Sequence, residues 1–243
     1  MKHLKTIIGI VALCALFSCA KSQTDGRGQV SFSLTSSLEI ADQTKSHVSD
    51  YTTLPSAGDF TITITNSESE TFWTGKISEW DEATLLPVGA YIVNATYGSL
   101  EDEGFDKPFF TGSANFTVQG AQTTDVNITV SLGNTVILVK CTDNFKNYYE
   151  DYTFNLVRDG ATIATFVKNE TKAAFVDGFK ISIAGTVTSG TKVQSFTKDY
   201  TKLKEATAYT VMFDASNVGG SAITISFNNE LVEVPLGDVE LND

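Results

Sequence analysis

Apolar and polar residues alternate along most of this chain. Val30, Phe32 and Leu34 alternate first, then Phe60, Ile62 and Ile64, then Tyr91, Val93 and Ala95, then Phe116 and Val118, then Val126, Ile128 and Val130. The second half repeats the habit. Phe154 and Leu156 alternate, Ile163 and Phe166 fall near that spacing, and Ile181 with Ile183 follows. Tyr209, Val211 and Phe213 come next, then Ile223, Ile225 and Phe227, and last Leu231, Val232 and Val234. A period of two is the mark of a strand with one buried face. Turn formers sit between the runs at Gly58-Asp59, Pro87-Val88-Gly89, Gly120, Gly133-Asn134, Asp177-Gly178 and Gly219-Gly220. Asp159-Gly160 and Asn228-Asn229 separate neighbouring runs by two residues, the spacing of a hairpin. Helical signals are confined to single turns, one capped by Ser78 and one over Phe145–Tyr149.

Many short strands with frequent turns predict an all-β fold. The length suits two antiparallel β-sandwich domains in tandem, of immunoglobulin or transthyretin type. The expected spans are 29–132 and 133–243, with the joint at Gly133-Asn134. The run Thr135–Lys140 is apolar without alternation, which makes Cys141 at its end a small buried hydrophobe.

The first residues follow a different rule. Lys2 and Lys5 precede an apolar run from Ile7 to Phe17, and Leu16-Phe17-Ser18-Cys19 closes it. A positive start, a short apolar core and a small residue before cysteine form a bacterial lipoprotein signal. The run is too short to cross a bilayer, which takes about 20 apolar residues. The reading is therefore a signal peptide over 1–18, a lipid on Cys19, and a polar tether over 19–28 with a span of roughly 16 Å. An outer-membrane anchor follows, with the exposed side left open.

Formal net charge is −12, and loss of the two signal lysines leaves 15 cations against 29 anions. Such a surface repels nucleic acid and anionic headgroups, so the lipid alone makes the membrane contact. His47 is the one histidine beyond the signal and lies in a polar stretch, so it is an exposed loop residue and no hydrolytic triad can be assembled around it. The sequence calls for no catalytic residue and no cofactor.

Four features carry candidate chemistry. The loop bearing Glu101, Asp102, Glu103 and Asp106 is the densest group of charge and a calcium candidate, against the plainer reading of a solvated loop; no metal site of known spacing is present. Trp73, Trp80, Phe109 and Phe110 are candidates for a ring platform that stacks on a sugar, against the alternative of core packing. One of Phe72 and Trp73, adjacent on a strand-like run, must face away from the core. Arg27, just ahead of the first strand, is a candidate cleavage site for a trypsin-like protease.

With those runs in place, Leu86-Pro87-Val88-Gly89-Ala90-Tyr91 and Glu103-Gly104-Phe105-Asp106-Lys107-Pro108 together resemble a family of Bacteroidota lipoproteins catalogued as a domain of unknown function. The first motif is also similar to fimbrillin-like envelope domains. Pro87 and Gly89 would set a turn into the strand of Tyr91. The resemblance brings no catalytic residue. It implies a cell-envelope binding or adhesion module for a glycan or protein partner. The alternative is a fimbrial subunit that assembles by strand exchange, and a third reading is an envelope glycoside hydrolase built on the acidic loop.

Overall fold

The computed structural model describes residues 26–36, 46–215, 222–227 and 230–235. The signal segment, Cys19, most of the tether, Gly219-Gly220 and Asn228-Asn229 lie outside them. Strands run in the order β1 (Arg27–Ser36), β2 (Thr61–Asn66), β3 (Thr71–Lys76), β4 (Leu86–Pro87), β5 (Gly89–Tyr97), β6 (Gly104–Phe105), β7 (Phe110–Val118), β8 (Thr123–Leu132) and β9 (Thr135–Cys141). A short helix, α1 (Asp143–Tyr148), precedes β10 (Asp151–Arg158), β11 (Ala161–Val167), β12 (Ala174–Val176), β13 (Lys180–Ser189), β14 (Lys192–Thr201), β15 (Thr207–Asp214), β16 (Ala222–Phe227) and β17 (Glu230–Pro235). The chain is all-β, as the alternation requires.

Three sheets form: β3-β2-β5-β7-β8-β1-β4, β11-β10-β13-β14, and β17-β16-β15-β9-β12-β6. Among the described residues pairing is antiparallel with two exceptions. β1 runs parallel to β8, and β9 runs parallel to β15. Each half thus opens with a strand that lies beside one of its last, a pairing no hairpin can make.

In the six-stranded sheet, β12, most of β9 and the start of β15 are buried on both faces. Val136, Phe175 and Ala208 join the apolar cluster of the N-terminal half, while Ile137, Ala174 and Tyr209 join that of the C-terminal half. A strand covered on both sides needs no polar face, which explains the continuous apolar run of β9. The joint at Gly133-Asn134 falls between β8 and β9, yet the two cores share this middle sheet. Strand β6, from the first half, also pairs with β12 of the second.

The local expectations divide. Asp159 and Gly160 have φ of 49° and 83° and close the β10–β11 hairpin, as the two-residue spacing predicts. Helix α1 is capped by Thr142, whose hydroxyl accepts the Phe145 N–H at 3.2 Å. Ser78 caps nothing: it lies inside a 3-10 turn over Ile77–Glu79 and donates to the Gly58 carbonyl at 2.9 Å. Cys141 is half-buried rather than sealed, and burial pushes its thiol up to about 11. Gly89 does not adopt positive φ, so the Pro87-Gly89 segment is a joint between strands rather than a glycine turn.

Candidate functional site

The Leu86–Tyr91 motif acts as a clamp on the start of β1. Leu86 is fully buried, and Pro87 and Leu86 stand opposite Arg27 and Gly28. The Val88 N–H donates to the Gly26 carbonyl at 2.9 Å, and the Tyr91 hydroxyl donates to the Pro87 carbonyl at 3.0 Å. Burial holds the Tyr91 phenol above its ordinary range, with Arg27 opposing in part. Arg27 is exposed but sits within β1, its guanidinium donating to the Leu85 carbonyl at 3.4 Å. It is therefore part of the folded edge, not of a loose tether.

The Glu103–Pro108 motif is a clasp between the halves. Glu103 accepts from Arg158 Nε at 3.0 Å and from the Asp177 N–H at 2.7 Å, and its side chain is only 11% exposed. Gly104 has φ of 118° and approaches the Ile163 carbonyl, where a Cβ would lie 3.0 Å away. The Phe105 ring meets Phe166 edge-on at 5.0 Å. Asp106 pairs with Lys172 across the same junction. The four carboxylates proposed for calcium thus do not converge. Glu103 and Asp106 turn to different cations, while Glu101 and Asp102 point to solvent. Among the described residues, no group of three or more His, Cys, Asp and Glu side chains could hold a metal.

Of the aromatic candidates Phe110 is a core residue, while Trp73, Trp80 and Phe109 are half-buried; one neighbour was missed. Phe110 is 1% exposed and packs against Phe60 and Tyr97. Trp80 donates from Nε1 to the Val30 carbonyl at 2.9 Å and meets Phe32 and Trp73 edge-on. Both tryptophans pack on the N-terminal core, and the Phe109 ring covers Gly133. None of the four stands exposed.

Phe72 does. The register between β2 and β3 slips at this point: Ile64 faces Trp73 and Thr65 faces Thr71, leaving Phe72 as an extra residue. A bulge of this kind re-aims a side chain, and Phe72 stands 41% exposed. It borders a groove of about 360 Å³ between the β2–β3 turn and the Pro87–Tyr91 clamp. A second concavity of about 330 Å³ adjoins it, sharing Ser67, Ala90 and Tyr91 and reaching Ile92, Asn115 and Thr117. Phe72, Val88 and Ile92 account for three of the six large apolar side chains exposed among the described residues.

The rim is polar and fixed in place. Asn66 Oδ1 accepts the N–H groups of Glu68 and Glu70, each at 2.9 Å, and its Nδ2 donates to Glu70 Oε2 at 3.1 Å. The turn so formed holds Ser69 at φ of 64°, and its Glu68 and Glu70 line the same groove as Phe72. A ring face flanked by carboxylates, an amide and hydroxyls can stack on one side of a pyranose and accept its hydroxyl protons. His47 is exposed, and its backbone N–H donates to Asp50 at 2.8 Å.

Residues 26–243 match a family described as a domain of unknown function, DUF4493. The chain belongs to that family. No curated protein matches the sequence. Similar solved structures include a proposed cell adhesion protein from Bacteroides eggerthii, at 10% identity and TM-score 0.49, covering 86% of this chain and 96% of that one. A proposed polysaccharide-binding protein from Bacteroides thetaiotaomicron is similar at 10% identity and TM-score 0.45, covering 86% and 98%. The fimbrial anchor protein Mfa2 from Porphyromonas gingivalis is similar at 10% identity and TM-score 0.43, covering 85% and 99%. No helix among the described residues is long and apolar enough to cross a membrane.

Proposed function

We propose that this DUF4493 chain is a non-catalytic binding module of the bacterial outer membrane, held by a lipid on Cys19, whose Phe72 groove binds a glycan. The observation that carries the reading is the exposed Phe72 ring, at the irregularity of β3, beside a rim of fixed polar groups. Adjacent residues of a strand face opposite sides, so with Trp73 turned to the core Phe72 faces out, and it lies next to that rim. The lipoprotein signal ending at Cys19 supplies the envelope location.

The test uses the mature lipidated chain, solubilised in detergent and applied to arrays of polysaccharides and host matrix glycans. The expected outcome is saturable binding that Phe72→Ala reduces about tenfold or more, the loss of one stacking surface worth roughly 1–1.5 kcal/mol together with its buried area. Binding unaffected by Phe72→Ala, or none across the array, overturns the assignment. Metabolic labelling with a radioactive fatty acid tests the anchor separately: the wild-type chain takes up label and Cys19→Ser does not.

A second reading is strand exchange between copies. It is favoured by β1, which pairs with β8 over eight residues but with β4 at only two, so that among the described residues no strand pairs along the far edge of Ser31–Ser36. Trypsin cutting after Arg27 would release the tether and leave β1 in its sheet. Polymers appearing on a denaturing gel after such treatment support this reading, and persistent monomers remove it.

A further inference from the structure

A second cleft lies in the C-terminal half, where the middle sheet is incomplete. Strand β15 covers one side of β9 along its whole length, from Thr135 to Cys141. On the other side β12 reaches only Thr135, Val136 and Ile137. The segment leading into β12 turns away from the rest. Asn169 has φ of 67°, the Glu170 N–H donates to the Val167 carbonyl at 2.9 Å, and Lys172 is drawn off to Asp106. No backbone hydrogen bond joins Leu138–Cys141 to this segment among the described residues.

The space left beside that edge is a cavity of about 510 Å³. Its inner wall holds Val139, Cys141, Phe154 and Phe166, part of the C-terminal core. On the opposite face of β9 lie Leu138, half-buried, and Lys140, exposed. Four strand residues extend about 13 Å, the length of β9 left unpaired.

We propose that this cleft accepts an extended acidic-apolar peptide as an added strand beside β9. Main-chain groups left unpaired at the edge of a sheet are a template for another strand, and pockets on alternate sides set which side chains fit. An incoming strand would put every second side chain opposite Val139 and Cys141, where apolar groups are required. The side chains between would lie beside Lys140, which makes no ion pair among the described residues. A carboxylate there forms the favourable cross-strand pair. Lys146 lines the same mouth. Of the two carboxylates that also line it, Glu170 already accepts the N–H groups of Thr171 and Lys172 at 2.8 Å each, and Asp143 belongs to the first turn of α1. A compact ligand could fill the apolar wall but would leave the edge of β9 unpaired, whereas a peptide satisfies both.

The probe is a fluorescent peptide of alternating valine and glutamate with serine at each end, titrated into the full mature chain in detergent micelles. The expected result is saturable binding with slowed amide exchange at Leu138–Cys141. Lys140→Glu, an exposed change that leaves the core intact, weakens binding at least about threefold, and a lysine-for-glutamate peptide restores it. Absence of saturable binding overturns the proposal. So does binding that leaves exchange at Leu138–Cys141 unchanged, or that is indifferent to the charge at position 140. The glycan reading rests on a different groove and is not touched by either outcome.

Discussion

Glycines at two turns separate conformational cost from steric cost. Gly160 has φ of 83° in the β10–β11 hairpin, and an added Cβ there meets nothing within 4 Å. Gly160→Ala therefore costs only the left-handed backbone, about 1–2 kcal/mol. Gly98 has φ of 76°, and its Cβ would lie 2.3 Å from the Pro108 carbonyl oxygen. Here the backbone must also move, and the packed exit of the Glu103–Pro108 clasp moves with it. Urea denaturation is expected to rank Gly98→Ala as clearly the more damaging of the two. Equal losses would mean that the Gly98 turn yields freely. Phe72 makes a related point at the same scale: adjacent rings at Phe72 and Trp73 announce that one must turn out, but which one depends on the packing of Trp73 against Trp80 and the N-terminal core. Ile92, the one large apolar residue on the outer face of β5 beside Ala90, Asn94 and Thr96, is the other legible signal for the groove.

At the scale of elements, strands with one wet face were legible and strands without one were not. The alternations around Ile62, Val93, Ile128, Ile183 and Val211 all mark real strands. β12 is buried at all three residues and shows no period. β14 carries Val193, Phe196 and Tyr200 at spacings that suit a helix better than a strand. It is a strand because Gly185 on β13 leaves room for the Phe196 ring, which lies 2.2 Å from where a Cβ would be. Only the pairing of two distant residues reveals that. α1 was legible as one turn, and its role is to seat Phe145 against Tyr149, Tyr152, Phe154 and Phe213. Phe145 is fully buried, so Phe145→Ala should cost about 3–5 kcal/mol. Thr142→Ala removes the cap and should cost about 1 kcal/mol. Chemical denaturation of both variants checks the order, and a larger loss for Thr142→Ala would mean that α1 is held by its cap rather than by its ring.

At the scale of the whole molecule, the joint between the halves is built from residues far apart in the chain. The acidic loop reads in sequence as a solvated or calcium-holding segment because its partners, Arg158, Asp177 and Lys172, lie far along the chain. In three dimensions Glu103 is a largely shielded carboxylate held by Arg158 and the Asp177 N–H. Burial dominates and holds its carboxyl above the ordinary glutamate range, with those two partners pulling the other way. The sign of the consequence follows from proton linkage. A folded state that binds a proton more tightly than the unfolded chain loses stability from that group as pH rises through the carboxylate range. Glutamine carries no such titration. Thermal melts of wild type and Glu103→Gln at pH 3.5 and pH 7 should therefore show the gap moving in favour of glutamine as pH rises. A gap moving the other way would mean that the Arg158 pair outweighs burial, and that the clasp is an ion pair first and a packed junction second.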